Sequence, residues 1–227
     1  MIGAAIFDLD GVIIDTAHYH YIAWKRLASE LNINLTKEHN ELLKGVSRIR
    51  SLEIILELGN IHLSEEEKEK YANRKNAWFV EYIESIRPEE IFPGVPELIQ
   101  SIRDQGIKVA LASSSKNAPR VIELLKIEHL FDTMVDGTMI THTKPHPEIF
   151  LLAALRLGAS PSDCVVFEDA EAGVEAALAA GMKCVGVGSA EQLGKANRVI
   201  AKTGDFKVTE LNALSSQSNN RNFNIES

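Results

Sequence analysis

Ala4-Ala5-Ile6-Phe7-Asp8-Leu9-Asp10-Gly11 is the stretch on which the reading of this chain turns. Four apolar residues without polar interruption deliver two carboxylates and then a glycine. A short apolar run bounded by turn residues fits a strand covered on both faces, and open α/β sheets place their chemistry just beyond the carboxyl ends of such strands. Asp8 and Asp10 are two residues apart, so an extended backbone would point both side chains the same way. Like charges that close repel, and the pair asks for a cation or a shared proton. Gly11 lets the chain turn away with no Cβ in the path. An isolated pair of this kind also fits a solvated strand end, so the rest of the chain has to decide.

The 227 residues suffice for one generous domain or one and a half. With 45% hydrophobic and 25% charged residues, an ordered, soluble protein is expected. A formal net charge of -8 argues against nucleic acid or an anionic membrane as partner, because phosphate backbones are bound by basic surfaces. A small phosphorylated substrate needs only a local positive site and stays open. Met1-Ile2-Gly3 leads straight into the first strand and leaves no room for a secretion signal, and no stretch approaches the roughly 18 apolar residues of a membrane span. Cys164 and Cys184 lack ligand-like spacing and read as reduced core residues. A cytoplasmic location is expected.

After the first strand the pattern turns helical. Ile22, Leu27 and Leu31 recur at near-helical spacing beside Trp24; Thr36 and Ser47 are candidate caps; and Ser64-Glu65-Glu66-Glu67 is a capping-box start for a long helix reaching to about Ile86. Arg87-Pro88 and Phe92-Pro93-Gly94 break it. Strands then alternate with helices: Ile107 to Ala112, Thr133 to Val135, Cys164 to Phe167, Cys184 to Val187 and an edge at Val199-Ile200. Such alternation implies a Rossmann-like α/β core, a parallel sheet with right-handed crossovers. The expected division is a core of residues 1–14 and 93–213, an inserted α-helical cap domain of residues 15–92 lying over the strand tips, and a disordered Ser- and Asn-rich tail of residues 214–227.

The other core strands also run into chemically useful residues. Ser113-Ser114-Ser115-Lys116-Asn117 offers hydroxyls, backbone N–H groups and a cation near a helix start, a combination able to hold phosphate oxygens, although a Ser-rich turn is also an ordinary turn. Thr143-Lys144-Pro145-His146-Pro147 presents a lysine from a proline-stiffened loop. Glu168-Asp169 ends a strand in two carboxylates, oxygen ligands that suit a hard dication such as Mg²⁺. Alone, each has a plain reading as a loop lysine or as solvated acids.

Taken in order, Asp8-Leu9-Asp10-Gly11, Ser113, Lys144 and Glu168-Asp169 resemble the four motifs of the haloacid dehalogenase-like superfamily, over roughly residues 1 to 212. The resemblance implies phosphoryl transfer. Asp8 would be the nucleophile and Asp10 the general acid/base. Lys144 and Ser113 would stabilise charge on the transferring group. Mg²⁺ would be held by Asp8, Glu168, Asp169 and the backbone carbonyl of Asp10.

Further segments resemble the β-phosphoglucomutase family in particular: Asp15-Thr16-Ala17-His18-Tyr19-His20 with Trp24, Leu43-Lys44-Gly45-Val46-Ser47-Arg48 with Ser51, Arg74-Lys75-Asn76, and Ala112 to Asn117. That resemblance implies a small phosphorylated sugar, β-glucose 1-phosphate, as substrate, with β-glucose 1,6-bisphosphate as intermediate, and a cap that opens and closes favours a monomer. Arg48, Ser115, Lys116 and Asn117 would hold the phosphate that is not reacting. Trp24, Lys44, Gly45, Val46 and Ser51 would line the sugar pocket, and Thr16 and Ser114 would also bind substrate. His20, with catalytic standing, and Lys75 would face Asp10 from the cap. Ile49-Arg50 and Ser114 depart from the familiar pattern. A sugar-phosphate phosphatase is the alternative within the superfamily, and a non-catalytic phosphosugar-binding protein the more distant one.

Overall fold

The computed structural model describes residues 2–43 and 46–216. Six strands, β1 (Ala4–Phe7), β2 (Lys108–Ala112), β3 (Thr133–Val135), β4 (Cys164–Glu168), β5 (Lys183–Val187) and β6 (Arg198–Ile200), form one all-parallel sheet in the order β3-β2-β1-β4-β5-β6. The chain winds outward from β1 through β2 to β3, then returns to the far side of β1 with β4. The switch point therefore lies between β1 and β4, where open α/β sheets bind their ligands.

Alternation along the strands makes two cores. Ala5 and Phe7 of β1 join Val109, Leu111, Val165 and Phe167 on one face, under α5 (Val95–Arg103) and α6 (Ala118–Leu125). Ala4 and Ile6 join Ala110, Ala112, Cys164 and Val166 on the other, under α7 (Glu148–Leu157) and α8 (Glu171–Ala179). Phe7 pairs with both Leu111 and Phe167 in register, and its ring stacks on that of Phe167 at 4.4 Å. This register brings the residues just past β1, β2 and β4 to one edge. The short α9 (Ala190–Leu193) and α10 (Leu211–Ser216) complete the core side. Leu214 is buried, so ordered packing continues past the expected limit at 213; residues 217–227 lie outside the described ones.

Between β1 and α5 stand four helices, α1 (Ala17–Glu30), α2 (Lys37–Glu41), α3 (Arg48–Leu58) and α4 (Glu65–Ile83), which form the inserted helical cap. The caps are those the sequence offers. The Thr36 hydroxyl accepts from the His39 N–H, Ser47 from Arg50, and Ser64 and Glu67 make a full capping box; each such cap stabilises a helix by about 1 kcal/mol. The helix starting at Ser64 ends at Ile83 rather than near Ile86. The cap has its own apolar centre of Trp24, Leu27, Leu52 and Ile55. The chain enters and leaves it side by side: Ile14 bridges Ile91, and the Phe92 N–H donates to the Ile13 carbonyl at 2.8 Å. Among the described residues no helix is long and apolar enough to cross a membrane.

Candidate active site

Asp8 follows β1 directly, and its N–H donates to the Phe167 carbonyl at 3.0 Å, which sets its side chain beside Glu168 at the tip of β4. The expected extended path through Asp10 is not taken. β1 stops at Phe7 and a turn begins at Leu9, whose carbonyl accepts the Ile13 N–H at 2.9 Å. Both carboxylates still reach one cleft, because Gly11 makes the turn at φ +74°, and a Cβ there would fall 2.1 Å from an Asp169 oxygen.

Lys144 ties the strand tips together. Its ammonium donates to Asp8 Oδ1 at 2.6 Å and to Glu168 Oε2 at 2.8 Å, all three side chains being almost wholly buried. Burial works against the lysine's charge, but Asp8 and Glu168 outweigh it and hold the ammonium above the ordinary lysine range. Glu168 also accepts the Ala170 N–H at 3.1 Å, and its carboxylate packs where a Cβ on Gly173 would stand.

One ammonium does not neutralise four neighbouring acids. Burial, then the nearby Asp8, pushes the Asp10 carboxyl up to about 7; Glu168 is pushed up by burial and by Asp8 and Asp169 against the pull of Lys144. Asp8, Glu168 and Asp169 each offer an oxygen, all within 4.8 Å of one another. An oxygen-only set short of positive charge fits a hard dication.

The cap closes over this edge with a different kind of chemistry. Lys75 is 1% exposed despite its Glu/Lys-rich helix; its ammonium lies 2.7 Å from His20 Nδ1 and over the rings of Trp24 (4.6 Å) and Phe79 (4.7 Å). Burial and then Arg48 hold the Lys75 pKa far below the usual lysine value, and burial with Lys75 and Arg48 does the same to His20. A neutral imidazole accepting at Nδ1 carries its proton on Nε2, where it remains free to donate. The resulting cleft, of about 530 Å³, is lined by Asp8, Asp10, Lys144 and Asp169 from the core together with His20, Trp24, Arg48 and Lys75 from the cap.

A family model of the haloacid dehalogenase-like hydrolases matches residues 2–181. The chain belongs to the haloacid dehalogenase-like hydrolase family. It is 44% identical over 207 residues to β-phosphoglucomutase of Bacillus subtilis, covering 90% of this chain and 92% of that protein. A crystal structure of β-phosphoglucomutase from Clostridium difficile superposes with a TM-score of 0.91 at 45% identity, covering 95% and 97% of the two chains. A phosphorylated carbohydrates phosphatase of Thermotoga maritima is 36% identical over 183 residues, 79% of this chain and 82% of its own.

Against this family pattern, Val46, Ser51, Ser114, Ser115, Lys116 and Asn117 also line the cleft, whereas Lys44 and Gly45 lie outside the described residues. Ser113 does not reach the cleft wall; it is fully buried beneath it, its hydroxyl accepting the Ser115 N–H at 3.1 Å. Thr16 is not on the wall either. It sits at the N-cap of α1 in a fully buried position, and its hydroxyl has no hydrogen-bond partner among the described residues. The departure at Ile49-Arg50 divides cleanly: Ile49 lines the cleft, while Arg50 turns out to Glu57 (2.8 Å) and Glu53 (3.4 Å). Glu69, Asn73, Thr141 and Thr143 line the cleft without having been singled out. Glu69 and Asn73 stand four apart on α4, near the i, i+3 partner Asn76 that accepts from Asn117 at 2.8 Å, and two asparagines on an otherwise Glu/Lys-rich face were the available signal.

Proposed function

We propose that this chain is a β-phosphoglucomutase, interconverting β-glucose 1-phosphate and glucose 6-phosphate through a phosphorylated Asp8 and a β-glucose 1,6-bisphosphate that turns round between transfers. The observation that carries this reading is one cleft lined both by the acidic strand tips and by a second cationic group, Arg48 and Lys116, with the hydroxyl and amide of Ser115 and Asn117. A sugar bearing a phosphate at each end needs two such places. Its volume falls within the about 300–1,000 Å³ usual for small-ligand sites.

In the first half-reaction the 6-hydroxyl of β-glucose 1-phosphate bonds to the phosphorus carried by Asp8 as the bond from phosphorus to the Asp8 oxygen breaks, Asp10 taking the hydroxyl proton and β-glucose 1,6-bisphosphate forming. Once the bisphosphate has turned round, the Asp8 carboxylate bonds to the phosphorus on O1 as that phosphorus–oxygen bond breaks, and Asp10 gives O1 the proton, leaving glucose 6-phosphate and phosphorylated Asp8. A carboxyl pushed up to about 7 suits both duties. Lys144 stays beside the transferring oxygens, with Ser113 supporting the turn beneath them. Asp8, Glu168, Asp169 and the Asp10 carbonyl would hold Mg²⁺. When bound, the ion offsets repulsion between the anionic nucleophile and the anionic phosphate. Arg48 offers a planar fork to the idle phosphate, and Trp24, Val46, Ser51 and Ser114 form the sugar side, with Lys44 and Gly45, next to Val46 in sequence, as further candidates. His20 and Lys75 support Asp10 from the cap and favour a sugar hydroxyl over water as acceptor.

The test is one reaction containing Mg²⁺, β-glucose 1-phosphate and a trace of β-glucose 1,6-bisphosphate, followed for glucose 6-phosphate and free phosphate together. Rapid glucose 6-phosphate with little free phosphate is expected. Free phosphate as the main product would replace the mutase by a sugar-phosphate phosphatase, the activity named for the Thermotoga maritima relative.

A further inference from the structure

The loop that carries Lys144 has a second face. While Lys144 points inward to Asp8 and Glu168, His142 and His146 point outward, both exposed, with their rings 4.6 Å apart. Glu148, at the start of α7, completes the group: its carboxylate lies 3.0 Å from His142 Nδ1. One ligand atom from each of the three falls within 4.8 Å of the others. The site is also stiff. The Glu148 carboxylate accepts the backbone N–H groups of Thr141 at 2.9 Å and His142 at 2.7 Å, the Glu148 N–H donates to His146 Nδ1 at 3.3 Å, and Pro145 and Pro147 flank His146. A preset carboxylate and a restrained backbone lower the entropy lost when an ion is bound.

From this geometry we infer that His142, His146 and Glu148 bind a borderline transition dication of the Zn²⁺ type, with water completing its coordination. The donor chemistry separates this site from the carboxylate cluster in the cleft. Two imidazoles and one carboxylate select Zn²⁺, Co²⁺, Ni²⁺ or Cu²⁺, whereas an all-oxygen set suits Mg²⁺. His142 would exchange its bond to Glu148 for one to the ion. The shallow depression beside the group, formed by Thr141, His142, Thr143, Pro145, His146 and Pro147, gives the ion open access from solvent. Thr141 and Thr143 line both this depression and the cleft, so the ion would sit behind the wall that positions Lys144.

The experiment is calorimetric titration of the full chain with Zn²⁺ in excess Mg²⁺, with Ni²⁺ broadening of histidine ring protons as a second readout that is independent of activity. One Zn²⁺ per chain is expected, with His142 and His146 signals broadened first. His142→Ala and His146→Ala should each weaken binding by at least about tenfold, a loss typical when a metal site is disturbed, while the exposed His62→Ala and His129→Ala change nothing. Circular dichroism of each variant guards against a folding artefact. Absence of Zn²⁺ binding, binding indifferent to both histidines, or binding lost in Asp8→Asn instead would overturn the assignment.

Discussion

On the core wall of the cleft a buried ammonium meets two buried carboxylates, Lys144 to Asp8 and Glu168; on the cap wall a buried ammonium meets a neutral imidazole, Lys75 to His20, inside the rings of Trp24 and Phe79. Asp8 and Glu168 raise the pKa of Lys144 against its burial, whereas burial and then Arg48 lower that of Lys75 against a weaker pull from Asp10. The core wall therefore holds compensated charge, which on the proposed reading serves bond making at phosphorus, whereas on the cap wall, beside the cationic Arg48, the Lys75–His20 pair disfavours charge and on that reading chooses what accepts the phosphoryl group. Breaking the core side should stop chemistry; breaking the cap side should redirect it.

The largest effect is expected from Asp8→Asn, which keeps the shape of the strand tip and removes the proposed nucleophile. Phosphoryl transfer should fall by about 10⁴-fold or more, the scale seen when a nucleophile is deleted, and intact mass should no longer gain a phosphoryl group. Turnover near the parent level would refute covalent transfer. Lys144→Met comes next. It leaves Asp8 and Glu168 facing each other without the ammonium, at a cost of about 3–5 kcal/mol in urea unfolding, and lowers kcat by about 10²–10³. The stability loss should shrink at lower pH, where a shared proton replaces the ammonium.

On the cap side, His20→Ala should leave phosphorylation of Asp8 in place and raise free phosphate relative to glucose 6-phosphate by about tenfold. An unaltered product ratio would remove His20 from acceptor choice. The same residue gives a pH signature. Its folded pKa lies well below the ordinary 6.5, so as pH falls through 6.5 the unfolded chain gains a proton that the native state refuses. Stability should drop there by up to about 1.4 kcal/mol per pH unit, and urea midpoints of His20→Gln should fall less steeply over the same window.

The contrast between the walls also explains what could be seen in advance. The core was legible because parallel strands buried on both faces write continuous apolar runs, and the runs of β1, β2 and β4 lead into marked residues: Asp8, Ser113 and Glu168. Pattern alone gave neither strand order nor which tips adjoin; Asp8 meets Glu168 because Phe7 registers with Phe167. The cap was harder to read. Lys75 sits in the sequence Asn73-Arg74-Lys75-Asn76, which looks solvated, and its burial depends on where α1 lies against α4. Likewise nothing in Ser113 or Thr16 says that the first goes beneath the cleft floor and the second into a buried cap position. Side-chain direction at a turn follows from tertiary packing more than from local sequence.

The smallest expected effect concerns how the walls meet. Away from the hinge, side-chain links between them include the half-buried Asn117 amide to Asn76 at 2.8 Å and the exposed Arg120 guanidinium to Glu84 at 2.9 and 2.6 Å. The second holds the end of α4 to α6, outside the cleft lining, through a two-pronged ion pair in solvent. Water and salt screen such a pair, so Glu84→Gln should change the KM for β-glucose 1-phosphate by only about twofold and leave kcat and the product ratio alone. Raising ionic strength should bring parent and variant together, because screening removes from the parent what the substitution removes from the variant. A change in product ratio with Glu84→Gln would mean instead that closure of the cap, beyond the role proposed for His20 and Lys75 on its inner face, decides between sugar and water.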